Sequence, residues 1–493
     1  MQRLYPWLPL FLFLFALLVR LVFVAFSQFD GLYGQDPFAY FNYALSLRAA
    51  LVAGQPPPPF FWPIGYPMLI LFTAVFIGPH PVAGQLASLL TGAAIAPLVY
   101  LLVLEYGRER LSAPRGALTA GLLAAVAAQL LLSSLSVMAD APALLWATLS
   151  ALSMIRYLRR LSWQWLALTA VLLAFAILTR WIYALLILPW GCSALLAWRA
   201  TRIPLRQMVV ASAIAVAIVG SIFGLHFVAD LSRSELSYVG DLTVYSWNPA
   251  NALQKEMLNA DGRFHYEYAT GHFYARPTFH PAYIFPLFAP FWLIGLWTMR
   301  RQKPALAVLL IGWPLTVYLF LAGVPWQNWR FPLTFFPPLL VLVGLGVDWV
   351  WAWLAIRWRP LLLAYCLVAL LGSVFWAARD VGAFTAWANQ SKQMTLDVGR
   401  QIPATATLLA FGLTATMQHY TAIDTRELFS LTEQDLQEIM TRETAVYLLI
   451  NPDNVQTQWA GKSPAQNLAW LQTHTRLTPI AQYDDFVLYQ VAP

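Results

Sequence analysis

Long apolar runs constrain this chain more than anything else in it. The first, from Leu8 to Phe26, is almost wholly apolar and long enough to cross a bilayer. In hydrocarbon every backbone N–H and C=O must find its partner within the segment, so such runs fold as helices. Of the 493 residues, 59% are hydrophobic and only 11% charged, against roughly 25% charged in soluble proteins. The composition describes a polytopic α-helical membrane protein in which the bilayer takes the place of a single core.

Hydropathy predicts about eleven transmembrane helices, at 7–28, 82–104, 116–136, 140–158, 163–179, 181–198, 207–228, 282–299, 304–323, 331–355 and 360–379. One set of inter-span segments carries half of the 30 basic residues: Arg3; Arg108, Arg110 and Arg115; Arg156, Arg159 and Arg160; Arg199, Arg202 and Arg206; Arg300, Arg301 and Lys303; Arg357 and Arg359. The positive-inside rule places these in the cytoplasm. That scheme holds only if 63–78, a short apolar run bounded by Pro63 and Gly78, dips into the membrane without crossing it. Loops 29–81 and 229–281 and the tail from 380 then lie outside the cell membrane. Pro56 to Pro59 stiffen the first of these loops. The start of the chain shows no small-x-small cleavage site, so the first span reads as uncleaved.

Charge divides the chain in the same place. Residues 1–379 hold 24 Lys and Arg against 12 Asp and Glu; residues 380–493 hold 6 against 11. Two domains are expected: a transmembrane catalytic domain, 1–379, and a soluble extracytoplasmic α/β domain, 380–493. In the tail, Leu408–Phe411, Ala445–Ile450 and Phe486–Val491 read as strands. Thr432 to Asp435 reads as a capping box, and Ser463 as an N-cap with Pro464 at the first helical position. The basic residues form no continuous stripe, which argues against nucleic acid as a partner. Cys192 and Cys366 lie inside apolar spans and read as small buried residues.

Acidic residues are scarce before residue 230: Asp30, Asp36, Glu105, Glu109 and Asp140. Asp36, in Gly34-Gln35-Asp36-Pro37, and Asp140, in Met138-Ala139-Asp140-Ala141-Pro142, fall on the outer face. Each has a plain reading as a helix start and a chemical one as a carboxylate at a membrane edge. Arg180 and Arg330 stand on that same face, against the charge bias. They read either as cations at helix ends or as forked donors for a phosphate. Arg20 lies well inside span one, so it needs a buried ion pair or a lipid phosphate. Of the histidines, His226 is nearest the membrane, while His265, His272 and His280 lie in the long loop; none shows HExxH spacing. A divalent metal ion therefore stays an open possibility with no ligand set. Most of the 22 Trp residues read as interfacial belts.

Four segments taken together resemble a known family. They are GQDPFAYFNYAL after span one, WPIGYPMLI in the first loop, MADAPALL between spans three and four, and RFPLTFFPPLLVL opening span ten. In this order they are similar to the GT-C superfamily of polyprenyl-phosphate-dependent glycosyltransferases, in particular the bacterial relatives of protein O-mannosyltransferases and lipid A aminoarabinose transferase. The resemblance covers about 1–380. It implies that Asp36 is the general base, that Asp140 is a second acidic position, and that Arg180 and Arg330 bind the donor phosphate. It further implies a hexosyl or pentosyl donor on a polyprenyl phosphate, inversion at the anomeric carbon, and an extracytoplasmic acceptor that is protein, lipid or glycan. Two departures matter. Pro37 stands where many relatives carry a second acid, and Phe61-Trp62 stand where aminoarabinose transferases carry Glu-Lys. The second counts against lipid A as acceptor.

Two other classes fit the bare hydropathy. A flippase or transporter of lipid-linked sugars predicts repeated halves with matching broken helices, and none is evident. A non-catalytic membrane assembly subunit predicts that Asp36→Asn is silent.

Overall fold

The computed structural model describes residues 5–492 apart from 61, 108–114, 202–205, 208, 211–212, 215, 219 and 222–245. Most of the expected span 207–228, His226, Arg3, Arg108, Arg110 and Arg202 lie outside the described residues. The chain divides into two units. One comprises Met1–Gly31, Tyr40–Leu253 and Thr270–Phe384; the other comprises Leu32–Ala39, Gln254–Ala269 and Thr385–Pro493.

The first unit is helical. Its long apolar elements include α1 (Leu8–Ser27), then α2 (Asp36–Val52), which begins in the second unit, α3 (Gly65–Ile77), α4 (Pro81–Gly107), α5 (Arg115–Val126), α6 (Ala128–Leu135), α7 (Asp140–Arg160), α8 (Trp163–Thr179) and α9 (Ile187–Thr201). After residue 269 come α10 (Thr270–Ala275), α11 (Ala289–Thr298), α12 (Pro304–Ala322), α13 (Phe336–Trp353) and α14 (Arg359–Gln401). Among the described residues seven helices are long and apolar enough to cross a membrane, or eight if the bent pair α5–α6 is one span. The other three expected spans are α8, of 17 residues, α11, of 10, and the segment outside the described residues. Expected span 282–299 shrinks because Pro286 and Pro290 confine regular helix to its second half. The short run 63–78 holds one 13-residue helix, α3.

The bend between α5 and α6 is 49° and has a local cause. Ala127 is extended (φ −63°, ψ 123°), and the Gln129 N–H donates across to the Ala282 carbonyl. The Ala125 carbonyl loses its helical partner. Arg20 supplies one: its guanidinium donates to Ala125 O (3.3 Å), Gly92 O (3.1 Å) and Ala16 O (2.9 Å). This corrects the expected ion pair. The two terminal nitrogens of the buried cation are held by backbone oxygens, one of which, Ala125 O, the helix break leaves open, one device by which membrane proteins tolerate breaks. Close approach of α11 to α13 depends on glycine: a Cβ on Gly346 would stand 1.9 Å from the Phe291 carbonyl oxygen. On α13, buried Asp348 accepts the Gly116 N–H (2.8 Å) and so satisfies the start of α5.

Helix α14 runs 43 residues, far beyond the expected end at 379. Residues 380–401 lack proline and are rich in helix formers, so nothing stops it where the apolar run ends. The second unit is an α/β sheet domain. Strands β3 (Thr407–Ala410), β4 (Asp424–Glu427), β5 (Val446–Ile450), β6 (Arg476–Tyr483) and β7 (Phe486–Ala492) take the order β4-β3-β5-β7-β6. The first three are parallel; β7 is antiparallel to both neighbours. Alternating residues feed two cores. Leu409, Leu448 and Ile450 pack with Leu436, Leu468 and Leu471 on one face, and Leu408, Ala410 and Leu449 with Val398 and Met417 on the other. The connecting helices are α15 (Thr414–Tyr420), α16 (Glu433–Arg442), α17 (Pro452–Thr457) and α18 (Ser463–His474). The capping box at α16 is present: Asp435 N donates to Thr432 Oγ1 (3.3 Å) and Thr432 N to Asp435 Oδ2 (2.8 Å). Ser463 instead opens α18 as its first residue and donates its hydroxyl to Phe429 O (2.7 Å). A hairpin of β1 (Glu256–Asn259) and β2 (Gly262–His265), not expected from sequence, docks on the end of α17 through Arg263 N to Gln458 O (2.7 Å).

Candidate active site

Three of the four candidate residues meet in the first unit. Asp140 is the first residue of α7 and is 2% exposed. Its carboxylate makes no cap hydrogen bond to its own helix; it forms an ion pair with the Arg180 guanidinium. Arg180 is extended (φ −150°, ψ 125°) where α8 gives way to a 3-10 turn. That change of direction turns its side chain toward Asp140 and places the guanidinium 5.8 Å from the centre of the Phe331 ring. Arg330, beside Phe331, directs Nη1 to the Met138 sulfur at 3.4 Å. One carboxylate and two guanidinium groups thus converge on segments 138–140, 180 and 330–331. Forked guanidinium donors of this kind suit a phosphate or carboxylate.

The surroundings fix these segments. Tyr66 shares a hydrogen bond with Ser88 (2.8 Å), and Ser88 donates to the Met138 carbonyl (3.2 Å). Gly65 lies against the end of α8: a Cβ there would stand 2.6 Å from the Leu178 carbonyl oxygen and 2.8 Å from Thr179 Oγ1. Gln85 donates to the Phe29 and Leu135 carbonyls (2.8 and 2.9 Å), and Val137 N to Gly31 O (2.9 Å). The WPIGYPMLI segment therefore braces both Arg180 and the turn before Asp140. Trp62 stacks on Tyr40 (4.7 Å), and Tyr40 meets Tyr66 edge-on (5.3 Å). The sequence singled out this segment as a motif but assigned it no contact; Tyr66, Ser88 and Gly65 were not foreseen.

Trp329 precedes Arg330 and is held by a cluster that sequence reading also passed over. Tyr274 and Tyr283 donate their hydroxyls to the carbonyls of Trp326 and Trp329. His280 lies over the Trp329 ring at 4.4 Å, and the Arg276 guanidinium at 5.3 Å. Burial, with Arg276 nearby, lowers His280 from 6.5 to about 4, so the imidazole is neutral at pH 7.

Asp36 belongs to the second unit. It is half-buried and opens α2, where Ala39 N closes the first turn onto Gln35 O (3.1 Å). Tyr33 and Phe38 flank it, and both are packed on C-terminal residues of the same unit. Among the described residues no group of three or more His, Cys, Asp or Glu is placed to hold a metal ion.

The apolar helices and the sheet domain define the class: a helical, multi-pass membrane fold with a small α/β domain. Residues 11–230 match the model of the family described as dolichyl-phosphate-mannose-protein mannosyltransferase, in line with the resemblance read from the four motifs. The fold is similar to ArnT from Cupriavidus metallidurans bound to undecaprenyl phosphate, at 14% identity over 96% of this chain and 97% of that one, with a TM-score of 0.65. It is also similar to the oligosaccharyltransferase AglB from Archaeoglobus fulgidus in complex with an inhibitory peptide and a dolichol-phosphate, at 13% identity over 98% of this chain and 74% of that one, with a TM-score of 0.58. No curated protein sequence matches significantly.

Proposed function

We propose that this protein is an inverting glycosyltransferase that moves a sugar from a polyprenyl-phosphate donor to an acceptor hydroxyl outside the cell membrane. The convergence of Arg180 and Arg330 around buried Asp140 carries the reading, together with the family match over 11–230. The acceptor oxygen attacks the anomeric carbon while Asp36 takes its proton. The bond from that carbon to the phosphate oxygen breaks, and its electron pair leaves with the polyprenyl phosphate. Arg180 and Arg330 stabilise the charge gathering on the phosphate. Asp140 holds Arg180 in place and limits the net charge of the site before the donor arrives.

Orientation follows from charge and length. Helix α7 rises about 30 Å from Asp140 to Arg160, close to the thickness of the hydrocarbon layer. Arg156 and Arg159, both beside Glu105 at 3.8 Å, mark the cytoplasmic end. The Asp140–Arg180 pair then stands at the outer end, where the headgroup of a lipid-linked donor resides.

Incubating the purified protein with labelled polyprenyl-phosphate mannose and a membrane extract, and determining the product anomer by NMR, tests the reading. Release of polyprenyl phosphate with inverted configuration supports it. Retained configuration contradicts direct displacement.

A further inference from the structure

We infer that the C-terminal unit holds the Asp36 turn in place, with Phe38 seated on His419 and Tyr420 and Tyr33 seated on Trp387. The inference rests on the reading of Asp36 as the base and assigns the sheet domain a task in the same reaction.

The turn is tied at its start, where the Gly31 carbonyl accepts the Val137 N–H (2.9 Å), and bends beyond it through glycine. Gly31 and Gly34 flank its first half with φ of +90° and +54°, and a Cβ on Gly34 would touch nothing within 4 Å. Glycines in that region leave the chain free to take many paths. Two aromatic anchors restrict it. Tyr33, three residues before Asp36, meets the Trp387 ring of α14 at 6.2 Å. Phe38, two residues after it and 1% exposed, meets His419 at 5.4 Å and Tyr420 edge-on at 6.1 Å.

The receiving side is closely packed. His419 and Tyr420 pack at right angles with ring centres 4.7 Å apart, and the Lys392 ammonium lies 4.6 Å over the Tyr420 ring. Both aromatic residues end α15, whose Met417 is fully buried in the sheet core with Leu408 and Leu488. The line of support runs from β3 through α15 to Phe38, and so to the carboxylate. Ordinary core burial accounts for one apolar ring. Anchors on both sides of a single half-buried acid, within six residues, are what fixing that acid requires. Phe38 and Tyr420 are positioning residues in this account, acting through Asp36.

Full-length protein is assayed with labelled polyprenyl-phosphate mannose, with a membrane extract as the acceptor source. Phe38→Ala and Tyr420→Ala should each lower kcat about 10- to 100-fold, the scale of a small misplacement of a reacting group. The KM for donor should stay put, because neither ring binds it. The double variant should be no slower than the slower single, since both act on one turn. Tyr420→Phe, which keeps the ring, should restore the wild-type rate. Phe38→Leu keeps an apolar side chain and serves if Phe38→Ala does not fold. Independently of donor, amide hydrogen exchange of 32–39 should accelerate in Tyr420→Ala. Unchanged exchange there, additive kcat losses, or a KM effect alone would overturn the inference. If Asp36→Asn abolishes transfer while Phe38→Ala and Tyr420→Ala are silent, the positioning role alone falls. If Asp36→Asn retains full activity, the base assignment falls.

Discussion

At the scale of single residues, the cluster of Asp140, Arg180 and Arg330 makes the firmest demands. Arg330→Ala removes a guanidinium whose proposed work is done in the transition state, so kcat should fall about 100-fold or more. Arg180→Lys should also be slow, since an ammonium lacks the fork that spans two phosphate oxygens. Kinetics on purified variants check both. Gly65→Ala forces a methyl onto the Leu178 carbonyl and should cost roughly 1–3 kcal/mol in thermal unfolding, with activity falling as the end of α8 shifts. His280 predicts a pH effect. Its folded pKa of about 4 lies below the unfolded 6.5, so the unfolded chain binds the extra proton in that window. Stability is full above pH 6.5 and declines as pH falls toward 4. A His280→Gln variant should lose this part of the acid sensitivity in unfolding scans. Asp140, Arg180 and Arg330 stood out in the sequence because charges are scarce in so apolar a chain. Its supports were not. Tyr66, Ser88 and Gly65 act on partners 22 to 114 positions away, and no local pattern announces such contacts.

At the scale of elements, legibility followed composition. Spans such as α1, α4, α7 and α12 were plain because hydrocarbon burial demands long apolar runs. The central strands β3, β5 and β7 were plain for the same reason, as short apolar stretches. The edge strands were missed. Asp424-Thr425-Arg426-Glu427 and Arg476 to Tyr483 are polar or carry a proline, as exposed sheet edges often do. The break at Ala127 was also invisible, since alanine favours helix and the cause lies in the Ala282 carbonyl and Arg20. Arg20→Met should therefore destabilise the bend by about 1–3 kcal/mol, the cost of leaving a buried carbonyl unpaired. A lowered midpoint in detergent unfolding, with the fold retained, is the expected result.

At the scale of the whole molecule, each part has its own task. Apolar helices hold a cation cluster at one end of the bundle. Basic segments sit at the other end of the same helices, and the sheet domain carries the turn that bears the candidate base. Cysteines introduced beside Arg160 and in the α16–β5 connection should label from opposite faces of intact cells, the latter from outside. The most direct test of the central claim compares wild type with Asp36→Asn for transfer of labelled sugar from a polyprenyl-phosphate donor, with donor binding measured alongside. The account predicts that the variant binds donor normally and transfers almost none. Transfer at the wild-type rate by Asp36→Asn would contradict it.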